Sequence, residues 1–329
     1  MKRDGCLLKK LIDLGVLPIR RRSSKGYTPH LLILFRSEKR HVFGIDTTPN
    51  EDSHRLLITH AHSDHYGRSA MASKKSVASE KTAKALEILC GRRFVGTTFK
   101  VGDNLDMDGV RIRTHPTGHT IGSTAFSWEN EVGTTILATG DVKDSSHLPR
   151  CDVLVTEATY GDPYDPQCRF KDDIGAFKDA IRENVAFGAY SFGKAQRAVK
   201  LLRMLGYGEE IVMDSKSLEL TRELMEHMGP LADLGENGKM RIVPPRYLNR
   251  LPDHLDKFVL TGRSCSHQRI QISDHLDFDG LMEMVHDCNP EVTILYHPPG
   301  GRPTKLAQYL NEKGFTAIPI DAITNVMIH

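Results

Sequence analysis

The chain of 329 residues has no pair of cysteines at CxxC spacing; its six cysteines, Cys6, Cys90, Cys151, Cys168, Cys265 and Cys288, stand singly. That pattern excludes a zinc knuckle and argues against a disulfide framework. The expectation is reduced thiols in a cytoplasmic protein, with Cys151 and Cys265 packing as small apolar side chains. No apolar run approaches the roughly 20 residues of a membrane span. The stretch from Leu7 to Leu17 is broken by Lys9, Lys10 and Asp13, and reads as a short amphipathic helix rather than a signal peptide. Charge of one sign is not in excess either: 44 basic and 42 acidic side chains leave a formal net charge of +2. A polyanion would therefore have to be held by local patches. Three are visible: Arg20-Arg21-Arg22 with Lys25, Arg92-Arg93, and Arg241 with Arg246 and Arg250. There is no internal repeat and no low-complexity tract beyond the short basic N-terminus. The remainder, 39% hydrophobic and 26% charged, has the composition of a globular enzyme. Its length suits two domains with a sizeable core.

What the chain does have is a concentration of metal-ligand side chains. His60-Ala61-His62-Ser63-Asp64-His65 follows the apolar Leu56-Leu57-Ile58-Thr59. Imidazole nitrogen and carboxylate oxygen are the ligands zinc accepts where it keeps a position open for water. His60 and His62, two apart on an extended segment, face the same side. Asp64 and His65 lie past the turn and can reach a second metal. Two further candidates follow. His119 lies in the glycine-containing loop His115 to Ser123, and Asp141 ends the apolar Thr135-Ile136-Leu137-Ala138-Thr139-Gly140-Asp141. A carboxylate so placed can bridge two cations, one on each oxygen.

The HxHxDH run, the Gly118-His119-Thr120 loop and the strand-final Gly140-Asp141 resemble the metallo-β-lactamase superfamily. Asp46, in Phe43-Gly44-Ile45-Asp46-Thr47, resembles that family's first-strand aspartate, which orients the metal loop from behind the ligands. Later segments are similar to the β-CASP nuclease branch. Glu157 in Leu154-Val155-Thr156-Glu157 resembles its motif A, His275 in Ser273-Asp274-His275-Leu276-Asp277 its motif B, and His297 in Leu295-Tyr296-His297-Pro298 its motif C. Ser191-Phe192-Gly193-Lys194-Ala195-Gln196 looks like the helix-opening Gly-(Arg/Lys)-Ala-Gln segment. Within the branch, the short chain and the form of motif B look most like ligase-associated DNA exonucleases. The mRNA 3′-end processing nucleases share the same ligands. Motif C departs from the family pattern, because His297-Pro298-Pro299 stands where a glycine usually follows the histidine, and two prolines stiffen the loop.

The resemblance spans residues 28 to 329 and implies an α/β fold, an αββα metallo-β-lactamase sandwich with an inserted small α/β β-CASP domain. Its expected limits are 1–162 and 261–329 for the sandwich and 163–260 for the insert. The insert joins the chain between Glu157 and His275, and is expected to cover the metal edge as one wall of a groove for a threaded strand. Coarse patterning agrees, with strands at Leu31–Phe35, His41–Ile45, Leu56–Ile58, Val153–Thr156 and Thr293–Tyr296. Helices are expected at Glu80–Leu89, Ile174–Val185, Ala195–Leu205, Ser217–Met228 and Asp279–Cys288. Ala317 to His329 reads as a last core strand or a dimer contact, and oligomeric state stays open, a homodimer included.

The resemblance also implies chemistry. His60, His62 and His119 would hold one Zn²⁺, and Asp64, His65 and His297 the other, with Asp141 between them and Mn²⁺ as an alternative metal. The reaction would be hydrolysis of phosphodiester bonds in single-stranded DNA or RNA. Asp64 would act at the reacting centre. His275 would protonate the leaving oxygen, oriented by Glu157. Ser191, Gly193, Lys194 and Gln196 would meet a phosphate at the start of a helix. A small-molecule metallo-hydrolase of thioesterase or lactonase type is the alternative on the same metals, and a non-catalytic binding subunit is another.

Overall fold

The computed structural model describes residues 9–23, 26–49, 51–65, 68–235, 239–263, 265–298 and 300–323, with backbone only between 21 and 29. The chain is mixed α/β and divides into two compact units. One comprises residues 1–83, 92–169 and 275–329, the other residues 84–91 and 170–274.

The first unit is built from two sheets. One runs in the order Val16–Ser23, Gly26–Ser37, Lys39–Ile45, Arg55–Leu57, Ser76–Ser79, Thr97–Phe99. The other runs Ala317–Pro319, Val292–His297, Val153–Glu157, Thr135–Ala138, Thr124–Glu129, Val110–Pro116, Asn104–Met107. A single apolar cluster joins them: Phe35, Phe43, Leu57 and Val77 from the first sheet meet Phe126, Trp128, Ile136, Val155 and Tyr296 from the second. Strands that alternate, such as Val110–Pro116, show one buried and one solvated face. Val153–Glu157 is buried at every residue, as a parallel strand covered on both sides must be.

Three parallel neighbours in the second sheet, Thr135–Ala138, Val153–Glu157 and Val292–His297, end on the same edge. In the first sheet Lys39–Ile45 and Arg55–Leu57 are likewise parallel neighbours. The carboxyl ends of parallel strands are where an α/β sheet presents loops to a ligand. Asp46, His60, Asp141, Glu157 and His297 all sit at or just beyond such ends.

The second unit has a six-stranded sheet in the order Leu231–Asp233, Ile211–Met213, Met240–Val243, Val185–Gly188, Asp256–Leu260, Gln268–Ile270, with every adjacent pair parallel. Helices Ile174–Asp179, Lys194–Met204 and Ser215–Leu224 send Phe177, Val199, Leu202 and Leu218 into one cluster with Phe187, Met213, Ile242 and Phe258. Two segments at the unit's ends are fixed to the middle helix by ions. Lys194 Nζ donates to Ile272 O at 2.9 Å and pairs with Asp274, while Arg197 pairs with both Asp172 and Asp274.

Several sequence expectations are corrected. The helix expected over Ile174–Val185 stops at Asp179, and Val185–Gly188 is a buried strand. Four apolar residues in a row fit a buried strand as well as a helix end, and Asn184 in the left-handed region (φ 63°) separates the two. The helix near the N-terminus ends at Asp13, and Val16–Ser23 is a strand paired with Gly26–Ser37. Arg20 is therefore no surface cation: it is 8% exposed and pairs with Asp321 at 2.7 Å. The side chains of Arg21, Arg22 and Lys25 lie outside the described residues. Cys265 is exposed, whereas Cys151 is buried as expected. Of the terminal segment, Ala317–Pro319 is a strand against Val292–His297, and residues beyond 323 lie outside the described ones. No described helix is long and apolar enough to cross a membrane.

One buried amide holds the N-terminal turn to the first unit. Asn130, 6% exposed, donates from Nδ2 to Leu14 O (2.8 Å) and Gly15 O (3.3 Å) and accepts at Oδ1 from the backbone N–H groups of Val132 and Thr134. Asn130→Ala orphans those partners and should lower unfolding stability by about 2 kcal/mol. Urea denaturation measures this, and an unchanged midpoint would refute the role.

Candidate metal centre

The centre begins with Asp46. Its backbone is left-handed (φ 49°), a conformation an aspartate tolerates better than most residues. Its N–H donates to Leu57 O at 3.0 Å, tying the ends of two neighbouring strands. Its fully buried carboxylate accepts four bonds: from Thr59 N (2.8 Å) on Oδ1, and from Thr59 Oγ1 (2.8 Å), His65 Nδ1 (2.9 Å) and Tyr296 Oη (2.9 Å) on Oδ2.

These bonds decide which histidine nitrogens remain free. His65 donates Nδ1–H to the carboxylate, so in the neutral ring Nε2 carries the lone pair. Thr59 has one hydroxyl proton, and it goes to Asp46. Its oxygen, 3.0 Å from His60 Nδ1, must therefore accept from that ring, which leaves the His60 lone pair on Nε2 as well. Both Nε2 atoms are buried with no hydrogen-bond partner, as are Asp141 Oδ1 and His297 Nδ1. Buried polar atoms are almost always satisfied. Orphaned atoms on His60, His65 and Asp141, side chains that converge with both rings within 3.6 Å of the carboxylate, mark a place that can take a cation.

Asp141 lies in the middle. Its Oδ2 is 3.6 Å from His60 Nε2, 3.3 Å from His65 Nε2, 3.5 Å from His119 Nε2 and 3.8 Å from His275 Nδ1. His62 Nδ1 and His119 Nε2 approach to 3.0 Å. His297 Nε2 stands 3.6 Å from Asp64 Oδ2, and the His65 and His297 rings are 4.1 Å apart. The ligand atoms of His60, His62, His119 and Asp141 fall within 4.8 Å of one another, and so do those of Asp64, His65 and His297. The donor set, imidazole and carboxylate without thiolate, suits a divalent cation of zinc or manganese type.

The two buried histidines differ in their electrostatics when no cation is bound. Burial, reinforced by the neighbouring His65 and His119, holds His60 well below the usual histidine range, and so keeps it a neutral ligand. Burial would do the same to His65, but the carboxylates of Asp141 and Asp46 outweigh it and raise it well above that range. Burial opposes ionisation of Asp141, yet His65 and His275 overcome it and hold that carboxyl well below its ordinary value. Asp64 is likewise lowered, chiefly by its bond to His297. The backbone makes room for this packing at Gly140 (φ 64°), where a Cβ would come within 2.3 Å of Thr59 Oγ1.

Beside the cluster, Glu157 is fully buried and faces His275, with Nδ1 at 3.0 Å from Oε2 and 3.2 Å from Oε1. Glu157 also accepts from Val142 N (2.7 Å) and Thr159 N (3.3 Å). Val142 O in turn receives Leu276 N at 2.7 Å, so the loop after Asp141 holds both partners of the pair. The His275 side chain is 21% exposed and its ring is 4.5 Å from that of His119. A histidine fixed through Nδ1 to a buried carboxylate presents Nε2 for proton transfer.

His297 keeps its place in the cluster although its bond to Pro298 is cis; Pro299 lies outside the described residues. In the second unit, Gly193 N–H donates to Gln196 Oε1 (2.7 Å), Gln196 Nε2 donates to Ser191 O and Thr221 Oγ1, and Ala195 N–H donates to Tyr190 O. Lys194 is 8% exposed. The Ser191–Gln196 segment thus closes its own turn with these groups. Sequence reading missed Thr59, Tyr296 and His30. Thr59 and Tyr296 flank the ligands His60 and His297, which was the available signal. His30, whose buried Nδ1 is unpartnered and whose pKa burial lowers to about 4, lies near Asp46 and His65 and carried no such signal.

No family model matches the chain. It is similar to a protein of Opitutus terrae named "Probable DNA ligase", 25% identical over 300 residues that cover 80% of the chain and 28% of that protein. The chain thus spans little more than a quarter of that relative's length. It is also similar to an "Uncharacterized protein in lig 3′ region" of Acidianus ambivalens, 28% identical over 129 residues, 36% of the chain and 91% of that protein. Among solved structures, a protein of unknown function from Enterococcus faecalis has the same fold, with a TM-score of 0.64 at 10% identity, covering 92% of this chain and 97% of that one.

Asp141 touches ligands of both groups, so Asp141→Ala should remove most bound metal from both. Elemental analysis of the purified variant measures this; full retention of two equivalents would refute a bridging role. Thr59→Val should also lower metal content, by freeing the His60 ring, while the apolar isostere keeps the packing.

Proposed function

We propose that the chain is a two-metal nuclease of the metallo-β-lactamase superfamily, in its β-CASP branch, acting as an exonuclease on single-stranded DNA. The observation that carries this reading is the juxtaposition of two histidine and aspartate groups sharing one edge with the buried Glu157–His275 pair. Small-molecule hydrolysis on the same ligands gives no account of that pair. The names of the two relatives, one a probable DNA ligase and the other tied to a lig region, support DNA as the substrate.

In this reading His60, His62 and His119 would hold one cation and Asp64, His65 and His297 the other, with Asp141 available to either. The second unit, with its all-parallel sheet over residues 170–274, is the β-CASP domain. When bound, two divalent cations activate a water near neutral pH and neutralise charge on the phosphoryl oxygens. The protein's own groups do the rest. Asp46 and Thr59 fix the tautomers of His65 and His60 so that lone pairs face inward. Asp64, the exposed carboxylate of the set, borders the space where the diester enters. His275 donates a proton from Nε2 to the departing oxygen. Glu157 keeps the ring oriented and favours its cationic form, and its own burial keeps water from competing for the Nδ1 bond.

The test is incubation of matched end-labelled single-stranded DNA and RNA with purified protein and Zn²⁺ or Mn²⁺. Stepwise shortening of DNA is expected. His275→Ala should keep near-normal metal content while turnover falls by about 10²–10³, the usual weight of a general acid. Equal loss of metal and activity in that variant would make His275 structural. Cleavage of RNA alone would move the substrate to RNA, and hydrolysis of a thioester but no phosphodiester would overturn the nuclease reading.

A further inference from the structure

The sheet of the second unit is covered unequally. Helices Ile174–Asp179, Lys194–Met204 and Ser215–Leu224 feed one apolar cluster on one face, to which the helical residues 84–90 of the same unit do not belong. The opposite face carries a small cluster, Ala186, Val243 and Val259 with Leu248 and Leu255, to which no α-helix contributes a residue. The segment covering it contains only the short 3-10 helix Pro245–Arg250. Strand register shows what else shares this face. Ala186 is directly paired with Arg241 on one side and Lys257 on the other, and Val259 is paired with Arg269. Side chains directly opposite in a sheet project to the same side, so Arg241, Lys257 and Arg269 all emerge on the thinly covered face.

The 3-10 helix adds a second feature. The guanidinium groups of Arg246 and Arg250 lie 5.0 and 5.2 Å from the ring centre of Tyr247, which packs at the edge of the same small cluster. Arg246, Arg250 and Arg269 are exposed. Arg241 is half-buried, and its Nη1 is buried without a hydrogen-bond partner. Among the described residues none of these four arginines has an ion pair; Lys257 alone is engaged, by Leu251 O and Asp253. An acidic partner is usual for arginines gathered on one surface, and here it is missing. In a chain of net charge +2, this is a local excess of cations around an aromatic ring.

We propose that this face binds single-stranded nucleic acid, with Arg241, Arg246, Arg250 and Arg269 on successive phosphates and the Tyr247–arginine platform under a base. The reading rests on the nuclease proposal, because it supplies the track along which a substrate strand is held. The chemistry favours a single strand: stacking on phenol and guanidinium planes needs an unpaired base, and tolerates any sequence. A folded acidic protein would use the charges and leave the ring without a role.

The experiment uses the full chain and a fluorescein-labelled 20-mer of oligothymidylate, followed by anisotropy across a salt series in a His275→Ala background that leaves the probe intact. Arg246→Ala/Arg250→Ala should weaken binding about tenfold or more, and should reduce the slope of log affinity against log salt by about 1.4, two phosphate contacts on a single strand. Tyr247→Leu should weaken binding about tenfold with the slope unchanged, and Tyr247→Phe should restore it. In the otherwise unmodified chain, hydrolysis of bis-p-nitrophenyl phosphate should be the same with and without the double substitution. Unaltered affinity and slope in the double variant would overturn the proposal, and so would equal competition by polyglutamate. Loss of oligonucleotide binding in a protein that hydrolyses no phosphodiester would leave this surface standing and remove the nuclease reading. Diester hydrolysis with undiminished binding in the variant would do the reverse.

Discussion

One buried carboxylate organises the first unit's edge. Asp46 accepts four hydrogen bonds with no exposure to water, from the end of a neighbouring strand, from a ligand histidine and from a tyrosine about 250 residues away in sequence. A carboxyl group buried in that position is tolerable only because every donor is in place. The same bonds polarise His65 directly and His60 through Thr59, so removal of the carboxylate would disturb both metal groups at once. Tyr296 shares this dependence. Its hydroxyl is held fully buried and, by burial and the nearby Asp46, well above the ordinary tyrosine range, so that it stays a donor. The next residue is the ligand His297, and the tyrosine thereby links the second sheet's strand end to the first sheet's loop.

Much of this edge was legible in the sequence because the ligands are local. His60, His62, Asp64 and His65 lie within six residues, and the candidates Asp141 and His297 each close an apolar run of strand type, while His119 sits in a loop. A strand must stop somewhere, and a chemical side chain at the stop is visible without knowing the fold. What was hidden depended on pairing between distant segments. That Glu157 and His297 are direct partners in a parallel pair, or that Arg20 points at Asp321, follows from register. Register is set by tertiary packing rather than by either segment alone. Short strands such as Thr97–Phe99 and Gln268–Ile270 were invisible for the same reason: three residues carry no period. Val185–Gly188 was misread because a wholly buried strand lacks the alternation that identifies a half-buried one.

The Lys194-Ala195-Gln196 segment shows a different limit. Its composition suits a phosphate at a helix start, and its place at a strand–helix turn suits it too. Yet the Lys194 ammonium is held by Ile272 O and Asp274, and the Gln196 amide closes the turn. A sequence motif marks where polar groups are needed, not what they face. Here the groups brace the loop segment immediately before His275, because Ser273 and Asp274 are gripped by Arg197, Asp172 and Lys194.

Electrostatics would separate the two tasks of the proposed nuclease. The edge that holds Asp46, Asp64, Asp141 and Glu157 concentrates carboxylates, and burial keeps imidazoles such as that of His60 neutral. By itself such an edge repels a phosphodiester, and only divalent cations make it attractive. It cannot also supply the long-range attraction for a strand, because charges beyond about 8–10 Å are screened at ordinary ionic strength. Binding along the strand therefore needs cations elsewhere. A chain with 44 basic and 42 acidic residues can provide them only by uneven distribution. The sheet face whose four arginines have no ion pair among the described residues is such a distribution, and its distinctness in residues from the candidate metal ligands would let affinity and chemistry be altered independently.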